Sequence, residues 1–265
     1  MGGRVESSST AVERALAILE AIGERSSGMT NSEISRWLSI PKSTASYILR
    51  TLEQRGYLQR ERGTGRYRLG LKVLALSRGV DSGTDIKRVA LPVLERLVER
   101  SNLTAHLAVL DRGEAVYIEK VDSPGFIKMD TWVGKRMEIH STGVGKVLVA
   151  GLPQAEIEAI VKARGLRKLT PKTITSPAKF LREIEKVRDR GYSIDDEENS
   201  LGARCVAAPV MDAAGRVIAA VGVSGTVNQI DRASIARVAE MARDAARRIS
   251  KQFGYPAPAR KPRSN

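Results

Sequence analysis

Residues 29–70 decide the fold of the first part of the chain, and they read MTNSEISRWLSIPKSTASYILRTLEQRGYLQRERGTGRYRLG. Thr30 and, three residues later, Glu33 form a capping-box pattern, which predicts that a short helix begins there. Pro41 disfavours helical geometry at the residue before it and suits the first turn of a second helix. The second helix is predicted there because its apolar residues recur at helical spacing. These residues are Ala45, Ile48, Leu49 and Leu52. Gly56 is predicted to end the helix.

The free face of the second helix carries small polar and basic side chains. Two short helices joined by a tight turn, with such a face on the second, form the helix-turn-helix arrangement that enters a major groove of DNA. The side chains predicted to reach base edges or nearby phosphates are Ser43, Thr44, Ser46, Tyr47 and Arg50, and Lys42 is predicted to hold the DNA backbone.

Two short alternating runs, 57–60 and 66–69, follow this helix and are joined by the turn Gly63-Thr64-Gly65. They predict a β-hairpin, either an ordinary solvated one or a basic wing that grips phosphates. Between Arg36 and Lys72 lie nine Lys or Arg and two acids, a net charge of +7. Placed directly after a helix-turn-helix, this charge favours the wing. The wing residues predicted to bind the DNA backbone are Arg60, Arg62, Arg66 and Arg68.

Composition limits the class of protein. The 265 residues have room for one large domain or two medium ones, and the net charge of +14 favours a polyanionic partner. A single cysteine excludes an intramolecular disulfide framework. No signal peptide is apparent, and no apolar run approaches the roughly 20 residues that a membrane-spanning helix needs. We therefore expect a cytoplasmic protein with no membrane partner.

The chain is expected to contain a DNA-binding domain over 1–70, a linker helix over 71–83, an effector-binding domain over 84–255 and a basic tail over 256–265. A helix before the quoted stretch is predicted from apolar spacing and should complete a three-helix core. Its residues with that spacing are Val12, Ala15, Leu16, Leu19 and Ile22. In the second domain, paired strand patterns alternate with helical ones, which indicates an α+β fold with a mostly antiparallel sheet. The expected strands are 104–110, 115–121, 126–132, 136–139 and a hairpin over 204–224, and the expected helices are 86–97, 143–150, 154–163, 178–190 and 235–249.

Several separated segments resemble the IclR family of bacterial transcription regulators, in order and over roughly residues 10–253. The segments that carry the resemblance are Val12–Leu19, Leu38–Leu52, His140–Lys146, Gly191–Glu198, Gly202, Cys205–Val210 and Val223–Gly225. The resemblance implies a winged helix-turn-helix, a GAF-like C-terminal domain that binds a small molecule, and dimers or dimers of dimers on palindromic operators. It further favours a repressor over an activator, acting on a catabolic operon, and the chemistry of the pocket residues suits a small organic acid or aromatic metabolite as the effector.

Residues that line the effector pocket in such regulators fall here on Phe126, Met129, Gly143, Val144, Asp195, Ala203, Cys205, Gly222 and Ser224. Gly222 stands where some members have a serine, and the segment 137–139 lacks a proline that the family often has. Physical chemistry allows the same pocket, since N–H groups at a helix start bind anions. Each residue also has a plainer interpretation: Cys205 as core, Asp195 as part of a solvated acidic run, and Ser224 as a turn residue.

Catalytic and metal-binding interpretations have weak support. Cys205 and His140 are a possible nucleophilic pair, but a lone cysteine and two histidines form no motif. His106, in a strand, is either a pocket residue or a satisfied core or surface histidine, and the second interpretation is favoured. There is no cofactor motif and no metal-ligand spacing, and the segment around Lys146 lacks the glycine and the Ser or Thr of a phosphate loop. A small-molecule enzyme and a sequence-nonspecific nucleoid protein remain as alternatives to the regulator.

Overall fold

The computed structural model describes residues 10–25, 27–77, 84–126 and 128–256. The chain divides into two units, one up to Ser82 and one from Gly83. The predicted basic tail lies outside the described residues beyond Pro256, as does the part of the predicted linker after Ser77.

The described residues of the first unit form four helices and a two-stranded antiparallel hairpin. In chain order these are α1 (Ala11–Gly23), α2 (Asn31–Leu38), α3 (Lys42–Gln54), β1 (Leu58–Arg60), β2 (Tyr67–Leu69) and α4 (Lys72–Ser77). The hairpin is tied to the segment before α2, because Met29 and Tyr67 exchange two backbone hydrogen bonds of 3.0 and 2.7 Å. The predicted helix-turn-helix and hairpin are therefore confirmed.

The core of the first unit lies between α1, α2 and α3, where Ile18, Ile34 and Leu49 are fully buried. The predicted inner face of α1 is partly wrong. Val12 and Leu16 are 68% and 54% exposed, whereas Ile22 is buried as predicted, together with Ile18 and Ala21. Two apolar stripes run along this helix, and spacing alone could not show which of them packs on α3.

The second unit is an antiparallel sheet with helices on both faces. Its elements are α5 (Thr84–Ser101), β3 (Thr104–Asp111), β4 (Glu114–Val121), β5 (Arg136–Met137), α6 (Gly143–Ala150), α7 (Gln154–Arg164), α8 (Pro177–Arg190), β6 (Ser193–Asp196), β7 (Ala203–Met211), β8 (Val217–Thr226) and α9 (Ile235–Gln252). The strand order is β5-β4-β3-β8-β7-β6, and all neighbours are antiparallel. The predicted α+β class is confirmed.

Alternate side chains of the central strands enter two different cores, as strand geometry requires. Leu107 and Val221 face α5 and α9 and pack in one cluster with Ile249. On the opposite face Ala108 and Ala207 pack with α6, and α7 and α8 enclose a further cluster behind it. The face covered by α6 holds the candidate effector site.

Three strand predictions differ from the structure. The described residues of 126–132 form no strand, and the strand expected over 136–139 has only two residues, Arg136 and Met137. The edge strand β6 was not expected, because its acidic sequence has low strand propensity and the strand forms by pairing with β7.

Candidate functional site

The start of α2 and the start of α3 set the geometry of the predicted DNA-binding face. The Thr30 hydroxyl accepts from the Glu33 N–H, and the Glu33 carboxylate accepts from the Thr30 N–H at 2.8 Å, so the predicted capping box is formed. Ser39 ends α2 with a left-handed φ of 54°, and α3 begins directly after Pro41. The chain thus makes a tight turn between the two helices.

α3 buries its apolar stripe and presents the opposite face to solvent. Lys42, Ser43, Tyr47 and Arg50 are exposed, Tyr47 to 70%, while Thr44 and Ser46 are half-buried. Within the described residues, no ion pair engages the Arg50 guanidinium. The structure therefore brings all six predicted side chains to one exposed or half-exposed helix face.

The hairpin arginines have different surroundings. Arg66 donates to both oxygens of Glu33 at 2.9–3.2 Å, and the Arg60 guanidinium lies 5.6 Å from the centre of the Tyr67 ring. Arg68 lies 3.6 Å from the Glu61 carboxylate. Arg62, at the exposed turn, forms no ion pair with the described residues. Arg66 is thus engaged by an ion pair that, among these residues, Arg62 lacks, and its role as a phosphate ligand stays a prediction.

The second candidate site lies on the sheet face that α6 covers. Asp195 on β6 pairs in register with Cys205 on β7, Cys205 with Ser224 on β8, and Ser224 with Thr104 on β3. His106 follows two residues after Thr104 and so points to the same side. All five side chains are buried. We call Thr104, His106, Asp195, Cys205 and Ser224 the polar sheet face.

Two glycines allow the start of α6 to lie directly on the polar sheet face. A Cβ at Gly143 would lie 3.1 Å from the Cys205 Sγ, and one at Gly222 would lie 2.8 Å from the Val144 Cγ1. The Ser193 hydroxyl donates to the Gly143 carbonyl at 2.6 Å and fixes the approach. The structure thus brings together Gly143, Val144, Gly222 and Cys205, at a helix end whose N–H groups favour anions.

A buried charge cluster connects α6, through its residue Lys146, to the segment at and after β6. Lys146 is fully buried, forms an ion pair with Glu198, and donates to the Ile194 carbonyl at 2.8 Å. The Asp195 carboxylate accepts from the N–H groups of Glu198 and Asn199 at 2.8 and 3.2 Å. Burial nevertheless raises the pKa of Asp195 to about 7. Asp195 is therefore part of the buried site and does not belong to a solvated acidic face.

The nucleophilic pair considered from sequence gains no support. Burial raises the pKa of the Cys205 thiol to about 12, which keeps it protonated. The His140 Nε2 bonds to the Arg167 carbonyl at 2.9 Å, and its ring packs edge-on against Phe180. No hydrogen bond joins Cys205 to His140 in the part of the chain that the structure describes.

Two of the predicted pocket residues do not lie in the cluster as expected. The Phe126 side chain is fully exposed and forms no wall of the site, and Ala203 lies half-buried at the start of β7. Met129 is half-buried, and its carbonyl accepts from the Lys120 amine at 3.2 Å. The loop that carries Phe126 and Met129 has no periodic pattern, so its packing could not be predicted.

Sequence reasoning missed two buried residues of this region, Thr104 and Lys146, and gave the pocket only as the less favoured interpretation of His106. The favoured interpretation was a satisfied histidine, but the His106 Nδ1 has no partner within the described residues. Lys146 was considered only as a phosphate-loop lysine. A lysine beside valines in a helix is an unusual core residue, which is the one sequence signal that could have drawn attention to it.

Comparison with known proteins covers both units. The family model of the IclR helix-turn-helix domain matches residues 11–62, and that of the bacterial transcriptional regulator IclR C-terminal domain matches residues 79–251. The HTH-type transcriptional regulator XynR of Escherichia coli (strain K12) is 36% identical over 246 residues, which cover 93% of this chain and 98% of XynR. The HTH-type transcriptional repressor AllR of Salmonella typhi is 32% identical over 249 residues, which cover 94% of this chain and 91% of AllR.

Two solved structures show the same architecture. The IclR protein of Thermotoga maritima is 32% identical with a TM-score of 0.76, over 92% of this chain and 98% of that one. An IclR homologue of Microbacterium hydrocarbonoxydans, solved as a complex with 4-hydroxybenzoate, has a TM-score of 0.81 at 24% identity and covers 92% of this chain and 99% of its own. Within the described residues, no helix has the length and apolar character needed to cross a membrane.

Proposed function

We propose that this chain, which belongs to the IclR family of bacterial transcriptional regulators, is a repressor whose binding to operator DNA is controlled by a small organic acid. Regulation of transcription through a helix-turn-helix is common to the family. The repressor role is supported by the naming of the AllR proteins as repressors at 32% identity. We assign the chain no catalytic step, and the DNA target supports a cytoplasmic location.

The observation that carries the proposal is the free face of α3. A helix whose apolar stripe is buried and whose opposite face offers Tyr47, Arg50 and several hydroxyl groups has the chemistry needed to read base edges. Lys42 and Arg62, both exposed, would contact phosphates and so fix the register of the helix on the duplex. A palindromic operator read by a dimer, or by a dimer of dimers, would repeat this contact on each half-site.

The proposed effector site is the polar sheet face beneath the start of α6. The N–H groups of α6 and the Ser224 hydroxyl suit a carboxylate, and Val144 supplies apolar wall. The Microbacterium protein of the same fold was solved as a complex with 4-hydroxybenzoate, which supports the proposal of a small organic acid. Effector binding can alter operator affinity only by its differential affinity for two arrangements of the dimer, which we expect to differ in the spacing of the recognition helices.

The test of the DNA-reading face is Arg50→Ala, measured by equilibrium binding to operator and to random DNA. If Arg50 pairs with a guanine, the variant should lose about 1–3 kcal/mol on operator DNA and much less on random DNA. Lys162→Ala, which removes one exposed positive charge from α7, is the control and should change neither affinity. Equal losses on both DNAs for Arg50→Ala would show that α3 does not read the sequence.

A further inference from the structure

His106 is a buried side chain with an unused hydrogen-bonding atom. It is 1% exposed, and its ring stacks on Tyr117 with 4.5 Å between the ring centres. The Nε2 atom bonds to the Thr131 hydroxyl at 2.8 Å, whereas Nδ1 has no partner within the described residues. An unpaired polar atom in the interior costs free energy, so an atom of this kind calls for an explanation.

The position of His106 connects this atom to the effector site. His106 lies opposite Gly222 across the β3–β8 pair, and Ser224 is its diagonal neighbour on β8. Diagonal neighbours on one sheet face are about 7–8 Å apart, which a molecule with a few carbon atoms can bridge. Gly222 has no side chain that could partner Nδ1.

The loop after β4 is fixed above His106. The Lys120 amine donates to the carbonyls of Met129 and Thr131 at 3.2 and 2.7 Å, and it forms an ion pair with Asp122 at 3.0 Å. Lys120 is the register partner of His106 on β4. Its charge is therefore already engaged by the loop. Among the described residues, the unpaired polar atom at this end of the polar sheet face is the His106 Nδ1.

We propose that His106 contacts the effector, and that the effector is a hydroxylated carboxylate. Its carboxylate lies against Ser224 and the start of α6, and its hydroxyl group, at the other end, hydrogen-bonds to the His106 Nδ1. This inference rests on the proposed function, because it assumes that the polar sheet face is the effector site, and it names the chemical class of the ligand and one further binding residue.

A hydroxyl group suits this position better than a second charge. Burial, with a smaller contribution from Lys120, lowers the pKa of His106 to about 3, so the ring is neutral at ordinary pH. A neutral imidazole offers either an N–H or a lone pair at Nδ1, according to the direction of the Thr131 bond. A hydroxyl group can satisfy both, since it donates and accepts, whereas a methyl group in the same place leaves Nδ1 unpaired.

The test compares acids that differ only by the distal hydroxyl, with the full-length protein and isothermal titration calorimetry. The pairs are 3-hydroxypropanoate with propanoate, 4-hydroxybutanoate with butanoate, and 4-hydroxybenzoate with benzoate. We expect the hydroxylated member of at least one pair to bind about tenfold or more tightly than its partner, since the partner leaves Nδ1 unpaired. Equal affinities within every pair would overturn the inference.

Variants at positions 106 and 131 distinguish the roles of the two ring nitrogens of His106. His106→Asn keeps a polar atom near the Nδ1 position and should retain the preference for the hydroxylated acid, whereas His106→Gln and His106→Phe should lose it. Thr131→Val removes the partner of Nε2 and should retain the preference. If His106→Phe discriminates between the two acids as the wild type does, the hydroxyl group is bound elsewhere and the assignment of His106 is wrong.

Failure of the inference differs from failure of the proposed function. Acids that bind with no preference for a hydroxyl, and still release operator DNA, would leave the effector site in place and remove the role of His106. Binding of neither member of any pair, with no effect of either on operator binding, would reject the acid-binding site and the inference with it.

Discussion

Two arginines in the hairpin, four residues apart, differ in what they can offer to DNA. Arg62 is exposed at the turn, whereas Arg66 makes a two-pronged contact with Glu33 from 33 residues away. Arg62→Ala should reduce the slope of log affinity against log salt by about 0.9, the value for one phosphate contact. Arg66→Ala should change the slope much less and should lower the melting temperature, because it frees the wing from α2. Equal reductions in slope would contradict this distinction.

The buried carboxyl of Asp195 predicts a pH dependence of stability. Its pKa is raised from 3.8 to about 7 by burial, so between these values the folded chain binds a proton that the unfolded chain has released. The stability contributed by this group therefore falls as the pH rises from about 4 to about 7. Lys146 and Glu198 face the same carboxyl, and the pKa of Glu198 is also raised by burial.

Asp195→Asn retains an oxygen for the two backbone N–H groups and removes the titration. Its free energy of unfolding relative to wild type should rise by about 2 kcal/mol between about pH 5 and about pH 8, measured by urea denaturation. Taking the difference between variant and wild type cancels the pH dependence contributed by buried groups that do not interact with Asp195, such as His106. Asp130→Asn, at a side chain that is 96% exposed, is the control and should give a constant difference. A constant difference for Asp195→Asn would show that this carboxyl is ionised throughout.

At the scale of elements, the approach of α6 to β8 depends on the absence of a side chain at position 222. A serine there would place its Cβ 2.8 Å from the Val144 Cγ1, which is closer than packed atoms allow. Gly222→Ser should therefore destabilise the second unit by about 1–3 kcal/mol, and the loss should be smaller in a Val144→Ala background. Gly125→Ser, where a Cβ meets no atom within 4 Å, is the control in thermal unfolding. A Gly222→Ser variant as stable as wild type would contradict this packing.

Elements with a strong periodic pattern were predictable from sequence, and those held by distant partners were not. The spacing in α3 showed both the helix and its buried side, because a single stripe of four apolar residues left no second choice. α1 has two stripes, and the packing of α3 decides between them. β6 has no pattern of its own and exists as a strand through its ladder with β7.

At the scale of the whole molecule, the order of the resembling segments predicted the family, and two models of that family match residues 11–62 and 79–251. Most predicted site residues lie on α3 or under α6, because their motifs fix the local backbone. The charge cluster of Lys146, Glu198 and Asp195 was not foreseen. Lys146 and Glu198 are 52 residues apart in the sequence, and only the folded sheet brings them into contact. The exposure of Phe126 was not foreseen either, because its loop has no repeating pattern from which the packing could be predicted.

The most direct test of the account is equilibrium binding of the purified protein to the intergenic DNA upstream of its own gene and to random DNA, across a salt series. A regulator that reads bases through α3 should prefer the upstream DNA by more than about a thousandfold. Both affinities should fall with rising salt, because contacts of the wing and α3 with phosphates release counterions from the DNA. Equal affinity for the two DNAs at every salt concentration would contradict the central claim.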